Sequence, residues 1–184
     1  PVYCTNPFRM PAGPEITKKE EESETAVFVI SRIAGEGADR QAEGGDYFLT
    51  EEEHCRLEAV CRLYQNVVII VNAGGQIDLS FLDEFCNIKG LLILVQPGME
   101  GGNALADILS GKVNPSGKLT DSWAYQYEDY PNSETFSHNN GNVEREYYEE
   151  GIYVGYRYLD TFGIPVRYEF GFGLSYTCLL YTSD

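Results

Sequence analysis

Val67-Val68-Ile69-Ile70-Val71, followed by Asn72-Ala73-Gly74-Gly75, decides the fold class of this chain. Five β-branched apolar residues in a row leave no polar position that could face water, which is typical of a strand buried on both faces of a sheet. The Asn and Gly residues predict that this strand ends in a turn. Two further apolar runs, Thr25–Ser31 and Leu91–Val95, predict two more strands buried in the same way.

Helical patterns lie between and after these runs. Thr50 precedes three glutamates, and Glu53 stands three residues later, so the pair predicts a capping box that opens a helix. A short helix is expected over residues 78–85. The turn at residues 97–102 should lead into a helix that reaches Leu109 and ends at Gly111.

The alternation of strand and helix predicts an α/β fold: a mostly parallel sheet with helices on both faces, in a flavodoxin-like α/β sandwich. Ligands approach such sheets at the carboxyl ends of the strands. The loops expected there are 32–47, 72–77 and 96–102. The order of the elements therefore predicts where a functional site should be sought.

Composition restricts the partners of this 184-residue chain. Its formal net charge is −16, which disfavours nucleic acid and anionic membranes and is compatible with a neutral sugar. No apolar run reaches the ~20 residues of a membrane span. Five cysteines without a CxxC pair give no zinc spacing. Their odd number favours a reducing compartment such as the cytoplasm, although secretion stays open because the chain begins without Met.

Phosphate-binding motifs are missing from the Gly-rich loops. The segment Gly111–Leu119 has five residues between its glycines, where a P-loop has four, and Leu119 stands where Ser or Thr must ligate magnesium. No GxGxxG follows a strand, and no GxSxG is present. The sequence therefore disfavours nucleotide binding and serine hydrolase chemistry.

The best chemical candidate is the loop Ser31–Arg40, which contains Glu36 between two glycines. Glycines permit a sharp turn, so the carboxyl group can project from the carboxyl edge of the sheet and act as a general acid. An ion pair between Asp39 and Arg40 would support the loop. The alternative is an ordinary polar turn with a solvated glutamate, and spacing alone favours that alternative.

The C-terminal third has a different character. Residues 122–150 are rich in Tyr, Asn, Glu and Asp without a helical period, which predicts a long loop, and residues 152–158 fit a helix end or a strand. The aromatic residues of 122–158 fit two roles, a sugar-stacking wall or a satellite core, of which the core is the commoner use.

Five segments, taken in order, resemble the C-terminal α/β-sandwich domain of glycoside hydrolase family 3, whose members are β-glucosidase-like. They are VFVISRIAGEGADR, YFLTEEE, VVIIVNAGGQIDLSF, LLILVQPGMEGGNALADILSGKVNPSGKLTDSW and YYEEGIYVGYRYLDTFGIPVRYEFGFGLSYT. The resemblance implies a domain over 25–177, preceded by a loop and charged segment over 1–24 and followed by a non-matching tail over 178–184. It also implies that an upstream strand is missing, so we expect the isolated chain to expose apolar area and to aggregate.

The resemblance further implies retaining hydrolysis of terminal β-linked glucosyl-type residues, with no metal or organic cofactor. Glu36 takes the position of the general acid/base, and the nucleophilic aspartate belongs to a barrel domain outside this chain, so the chain alone should be inactive. Arg32, Asp39 and Arg40 are expected to support the loop, and Glu149 and Glu150 to be structural or rim residues. The expected partners are a β-glucoside or β-linked oligosaccharide and the barrel domain.

Two alternatives remain at this point. One is a non-catalytic carbohydrate-binding or structural module of the same ancestry, and the other is an unrelated flavodoxin-like nucleotide-binding domain. The second ranks last because the chain has no phosphate loop. The catalytic hypothesis and the non-catalytic alternative differ in the role of Glu36.

Overall fold

The structure is a computed structural model that describes residues 16–18, 23–33, 39–136 and 147–177. The chain divides into two compact units, Pro1–Gln96 and Pro97–Asp184. The division follows the third predicted strand. Within the described ranges, none of the helices is both long enough and apolar enough to cross a bilayer.

The first unit contains a parallel three-stranded sheet. Its strands are β1 (Thr25–Ser31), β2 (Asn66–Asn72) and β3 (Ile88–Ile93), in the order β1-β2-β3. The register pairs Thr25 with Asn66 and Ser31 with Asn72, so β1 and β2 end at the same edge. The α/β class with a parallel sheet is thereby confirmed.

The central strand β2 forms the core of this unit. Val67, Ile69, Ile70 and Val71 are fully buried, as the unbroken apolar run predicts. Burying a side chain of this size contributes about 1.5–3 kcal/mol. The run that decides the fold class therefore also supplies much of the stabilising apolar contact.

Strand β1 differs from the prediction that it would be buried on both faces. Ile30 is buried, but Val27 and Val29, on the opposite face, are 49% and 52% exposed. β1 lies at the edge of the three-stranded sheet, where it has a strand neighbour on one side. Apolar residues on both faces of a strand show that both faces could be buried, not that both are. The prediction of burial on both faces was wrong for this strand.

Helix α1 (Glu51–Leu63) connects β1 to β2 and contacts both strands. Its capping box is confirmed: the Glu53 backbone N–H donates to Thr50 Oγ1 at 3.0 Å, and the Thr50 N–H donates to Glu53 Oε2 at 2.9 Å. Leu57 is fully buried on the sheet side. A 3-10 turn at Ser80–Asp83 replaces the short helix expected over 78–85.

Strand β3 ends two residues earlier than the apolar run predicts. Val95 and Gln96 have φ values of 42° and 46°, in the left-handed region that β-branched residues rarely adopt. The extended conformation therefore cannot continue to Val95. The chain turns into Pro97 at this point.

The second unit contains α2 (Gly101–Leu109), β4 (Trp123–Ala124), α3 (Tyr156–Phe162) and β5 (Val166–Tyr168). Helix α2 runs to Leu109, and Gly111, at φ 76°, follows it as predicted. β4 and β5 pair in antiparallel fashion, with Trp123 opposite Tyr168. This pairing was not predicted, and residues 152–158, left open between helix and strand, contain the start of α3.

Two cysteines of the first unit, Cys61 and Cys86, are free thiols. Cys55, in α1, is disulfide-bonded.

Candidate functional site

The candidate site lies at the carboxyl edge of the parallel sheet in the first unit. Segment 32–47 leaves the sheet after Ser31, and segment 72–77 leaves it after the paired position Asn72. Glu36, the predicted acid/base, lies outside the described residues. The structure describes the two ends of its loop, at Arg32 and Ile33 and again from Asp39, and Ile33 is almost fully exposed.

Arg32 is buried at the first end of this loop, with 3% of its side chain exposed. Its guanidinium bonds Glu53 in two-pronged fashion, at 2.7 Å from Nη1 to Oε1 and 2.9 Å from Nη2 to Oε2. It also donates to three backbone carbonyls: Asp46 at 2.7 Å, Ser31 at 2.8 Å and Phe48 at 3.1 Å. All five N–H donors of the arginine are thus used. This satisfied hydrogen bonding is what permits a buried charge at this position.

The partner carboxylate, Glu53, is oriented by the helix it caps. Burial raises the pKa of Glu53. Hydrogen bonds from Arg32 and from the Thr50 backbone, together with the charge of Arg32, lower it by more, so the net pKa is below the usual value. Glu53 is therefore ionised at neutral pH. It joins the loop end at Arg32 to the first turn of α1.

Arg40 holds the other end of the loop. Its Nε donates to Asp46 Oδ1 at 2.5 Å and its Nη1 to the Gln76 carbonyl at 2.5 Å. Its Nη2 donates to the Asp46 carbonyl at 2.8 Å. The structure thus pairs Arg40 with Asp46, whereas the sequence suggested a pair with Asp39. The contact with Gln76 ties this loop end to the loop that follows β2.

The loop after β2 lies close against this arrangement. A Cβ placed on Gly75 would stand 3.1 Å from Arg40 Nη1, so a side chain there would press on the guanidinium. The Asp78 N–H donates to the Tyr47 carbonyl at 2.8 Å, which fixes segment 72–78 to the loop from the other side. We call the side chains of Arg32, Arg40, Asp46 and Glu53 the arginine frame.

One buried polar atom at this edge is not satisfied by the described part of the chain. Asn72 Oδ1, at the end of β2, has no hydrogen-bond donor there. Buried acceptors are normally paired. The edge therefore keeps an acceptor that the described fold does not use.

Two members of the frame were missed from the sequence. Glu53 was predicted as a capping residue but not as the partner of Arg32, and Asp46 was not selected at all. A signal was available for Glu53, because a carboxylate at the third helix position points back toward the chain entering the helix. No local pattern marks Asp46.

An open cavity of about 180 Å³ lies beside the first turn of α1. Its lining combines aromatic rings with carboxyl groups and one imidazole, from Phe48, Leu49, Thr50, Glu51, His54, Asp78, Ser80, Phe81 and Glu84. His54 Nε2 lies 2.8 Å from Glu84 Oε2. Among the residues that the structure describes, no three His, Cys, Asp or Glu side chains converge as metal ligands would.

The aromatic residues of the second unit cluster with one another. Tyr156 stacks on Phe170 with ring centroids 4.5 Å apart, and Tyr168 packs near Phe172 at 5.0 Å. Phe170 and Phe172 nevertheless keep 50% and 40% of their surface exposed. Of these four residues only Tyr156 belongs to the aromatic set of 122–158, so the choice between a sugar-stacking wall and a satellite core stays a prediction. Glu150 accepts from Asn132 Nδ2 at 3.1 Å, whereas Glu149 is exposed.

Comparison with known proteins identifies the family. The glycosyl hydrolase family 3 C-terminal domain matches residues 13–156, which is more than half of the chain and includes the loop at the sheet edge. The chain belongs to this family. The family domain thus covers the whole arginine frame.

Several known glycosidases align along most of the chain. A β-glucosidase from Ruminococcus albus is 42% identical over 91% of this chain and 17% of its own length. An exo-α-(1→6)-L-arabinopyranosidase from Bifidobacterium longum is 35% identical over 90% of the chain and 22% of its length. β-Glucosidase 3B from Thermotoga neapolitana, solved with glucose, superposes with a TM-score of 0.77 at 40% identity, over 84% of this chain and 22% of that one.

The chain therefore spans about a fifth of the length of these relatives. The α/β fold expected for the family is thereby confirmed.

Proposed function

We propose that this chain is the second domain of a longer retaining β-glycosidase that hydrolyses terminal β-linked glucosyl-type residues. The observation that carries the proposal is the family match over 13–156 together with β-glucosidases among its relatives. Nucleotide chemistry has no support, because the chain has no phosphate loop. The substrate is a β-glucoside or β-linked oligosaccharide.

In this proposal Glu36 is the general acid/base. Retaining enzymes use two carboxyl groups about 5–5.5 Å apart, one as nucleophile and one as acid/base. The nucleophilic aspartate belongs to a barrel domain of the same protein, so no aspartate of this chain has that role. Glu36 first protonates the glycosidic oxygen and then deprotonates the attacking water.

The position of the loop supports this division. The loop leaves the carboxyl edge of the sheet, where α/β domains bind ligands. Arg32 and Arg40 are anchored at its two ends. Asp39 stays a predicted supporting residue. General acids must be held within hydrogen-bonding reach of the leaving group, so an anchored loop suits this role.

The test uses the full-length protein that carries this chain, with Glu36→Ala and two aryl β-glucosides. One has a good leaving group that needs no protonation and one has a poor leaving group. Loss of a general acid should lower activity on the poor leaving group by about 10²–10⁴-fold and affect glycosylation by the good one far less. Glu43→Ala is the matched control, because Glu43 is an exposed glutamate seven residues later in the same segment.

Equal, wild-type cleavage of both substrates by Glu36→Ala would contradict the assignment. A second candidate function would then gain weight, a non-catalytic carbohydrate-binding module. Its binding site would be the cavity of about 180 Å³, whose lining includes the aromatic Phe48 and the acidic residues Glu51 and Asp78. Retained binding of cellobiose by the full-length Glu36→Ala protein, lost on Phe48→Ala, would identify it.

A further inference from the structure

We propose that Asp46 is a positioning residue for the general acid/base, because it holds together the two arginines that bound segment 33–39. This inference rests on the proposed role of Glu36. Asp46 lies outside that segment, and nothing in the sequence marks it. Its role follows from four hydrogen bonds that converge on one residue.

The backbone carbonyl of Asp46 accepts a hydrogen bond from each of the two arginines. This single oxygen accepts from Arg32 Nε at 2.7 Å and from Arg40 Nη2 at 2.8 Å. The two arginines are eight positions apart in the chain, yet they meet on one atom. The two ends of the intervening segment are therefore held close together at the sheet edge.

The carboxylate of Asp46 accepts two further hydrogen bonds. Oδ1 accepts from Arg40 Nε at 2.5 Å, and Oδ2 accepts from the Gln41 backbone N–H at 2.6 Å. Two guanidinium groups on one oxygen repel each other unless each charge has a counterion. Glu53 is the counterion of Arg32, and Asp46 is that of Arg40.

Asp46 is itself held by a tight turn. Its N–H donates to the Glu43 carbonyl at 3.2 Å, and the Gly45 N–H donates to the Phe48 carbonyl at 2.8 Å. Gly45 has φ 93°, a conformation that other residues rarely adopt. The turn fixes the position of Asp46. Through Arg32 and Arg40, Asp46 links the sheet edge, the first turn of α1 and the loop containing Gln76.

The variant Asp46→Asn removes the negative charge of this side chain and keeps its size. It keeps the backbone carbonyl, and so the bond from Arg32, but it removes the counterion of Arg40 and turns one acceptor into a donor. The loop end at Arg40 should then shift. A small displacement of a catalytic group can cost a large factor in rate.

The experiment measures kcat/KM of the full-length protein on the two aryl β-glucosides for Asp46→Asn, Glu36→Ala and the double variant. We expect Asp46→Asn to lower activity on the poor leaving group by about 10–100-fold and on the good one by less than about threefold. In the Glu36→Ala background the same change should add little, because the group it positions is gone. Asp107→Asn is the control, a partly exposed aspartate paired with Lys112 in the second unit.

The outcomes separate the inference from the function on which it rests. If Glu36→Ala is selective for the poor leaving group but Asp46→Asn lowers both substrates equally, Asp46 is a structural residue and the inference is overturned. If Glu36→Ala has no effect, the proposed function fails first, and the inference fails with it. If Asp46→Asn does not fold, Arg40→Gln removes the same ion pair from the other side, and it must show the same selectivity or the inference is overturned.

Discussion

Arg32 and Glu53 form a two-pronged ion pair that joins the end of β1 to the first turn of α1, with N–O distances of 2.7 and 2.9 Å. The arginine is buried, whereas the glutamate is about one quarter exposed. The same carboxylate also caps the helix through the Thr50 N–H. One side chain thus stabilises a helix start and neutralises a buried charge.

Removing this carboxylate should destabilise the helix start. Glu53→Gln leaves Arg32 buried without its counterion, and we expect a loss of about 2–3 kcal/mol, somewhat below the cost of breaking a fully buried pair. Native-state hydrogen exchange of the α1 amides in the full-length protein measures the loss. Glu52→Gln is the control, because Glu52 pairs with Arg56 on the exposed face of α1 and should cost under about 0.5 kcal/mol. Equal effects of the two substitutions would refute the role of the pair.

The effect of Glu53→Gln should also depend on pH. The folded pKa of Glu53 lies below its ordinary value of 4.5, so ionisation of Glu53 stabilises the fold at neutral pH. That contribution is lost as the pH falls below 4.5 and through the folded pKa. The ratio of α1 exchange rates, variant over parent, should therefore be largest at pH 7 and fall toward one in acid. A ratio that stays constant down to pH 3 would be inconsistent with a lowered pKa.

Replacement of Gly101 by alanine should destabilise the protein, whereas replacement of Gly102 should not. A Cβ at Gly101 would stand 2.2 Å from Pro97 Cγ, while a Cβ at Gly102 would meet nothing within 4 Å. We expect Gly101→Ala to destabilise the second unit by about 1–3 kcal/mol through overpacking. Gly102→Ala should be neutral or stabilising by up to about 1 kcal/mol, because alanine favours the helix. Native-state hydrogen exchange of the α2 amides in the full-length protein measures both changes, and equal exchange in the two variants would contradict the contact with Pro97.

Cys61 should react slowly with alkylating reagents. Burial, followed by the nearby Cys86, raises the pKa of Cys61 to about 11, so its nucleophilic thiolate is scarce at pH 8.5. Cys86 is exposed. Iodoacetamide followed by mass spectrometry should find Cys86 modified well before Cys61, with the difference abolished in urea. Faster labelling of Cys61 in the folded chain would contradict its raised pKa.

The sequence predicts the sheet well because its strongest signals are local. The apolar run at Val67–Val71 and the Thr50–Glu53 capping box both need only a few neighbouring residues to be read. The exposure of Val27 and Val29 was mispredicted, because burial depends on what packs over a strand. The pairing of Trp123 with Tyr168 was missed for a similar reason. Strands of two and three residues carry no readable period, and their contact is distant in sequence.

The candidate site was only partly predictable for the same physical reason. Arg32 and Arg40 were selected because they flank Glu36 in the chain. Their partners were not, since the contact of Arg32 with Glu53 spans 21 residues and that of Arg40 with Gln76 spans 36. Asp46 acts partly through its backbone carbonyl, which every residue type has. No residue pattern could have identified that contact.

The most direct test of the account is azide rescue of Glu36→Ala in the full-length protein, with an aryl β-glucoside that has a good leaving group. If Glu36 is the acid/base of a retaining enzyme, the variant still forms the glycosyl-enzyme intermediate, and azide attacks it without general-base help. We predict faster turnover with azide and a β-glycosyl azide as product, identified by NMR. Wild-type activity without azide, or turnover that azide does not change and that gives no glycosyl azide, would contradict the account.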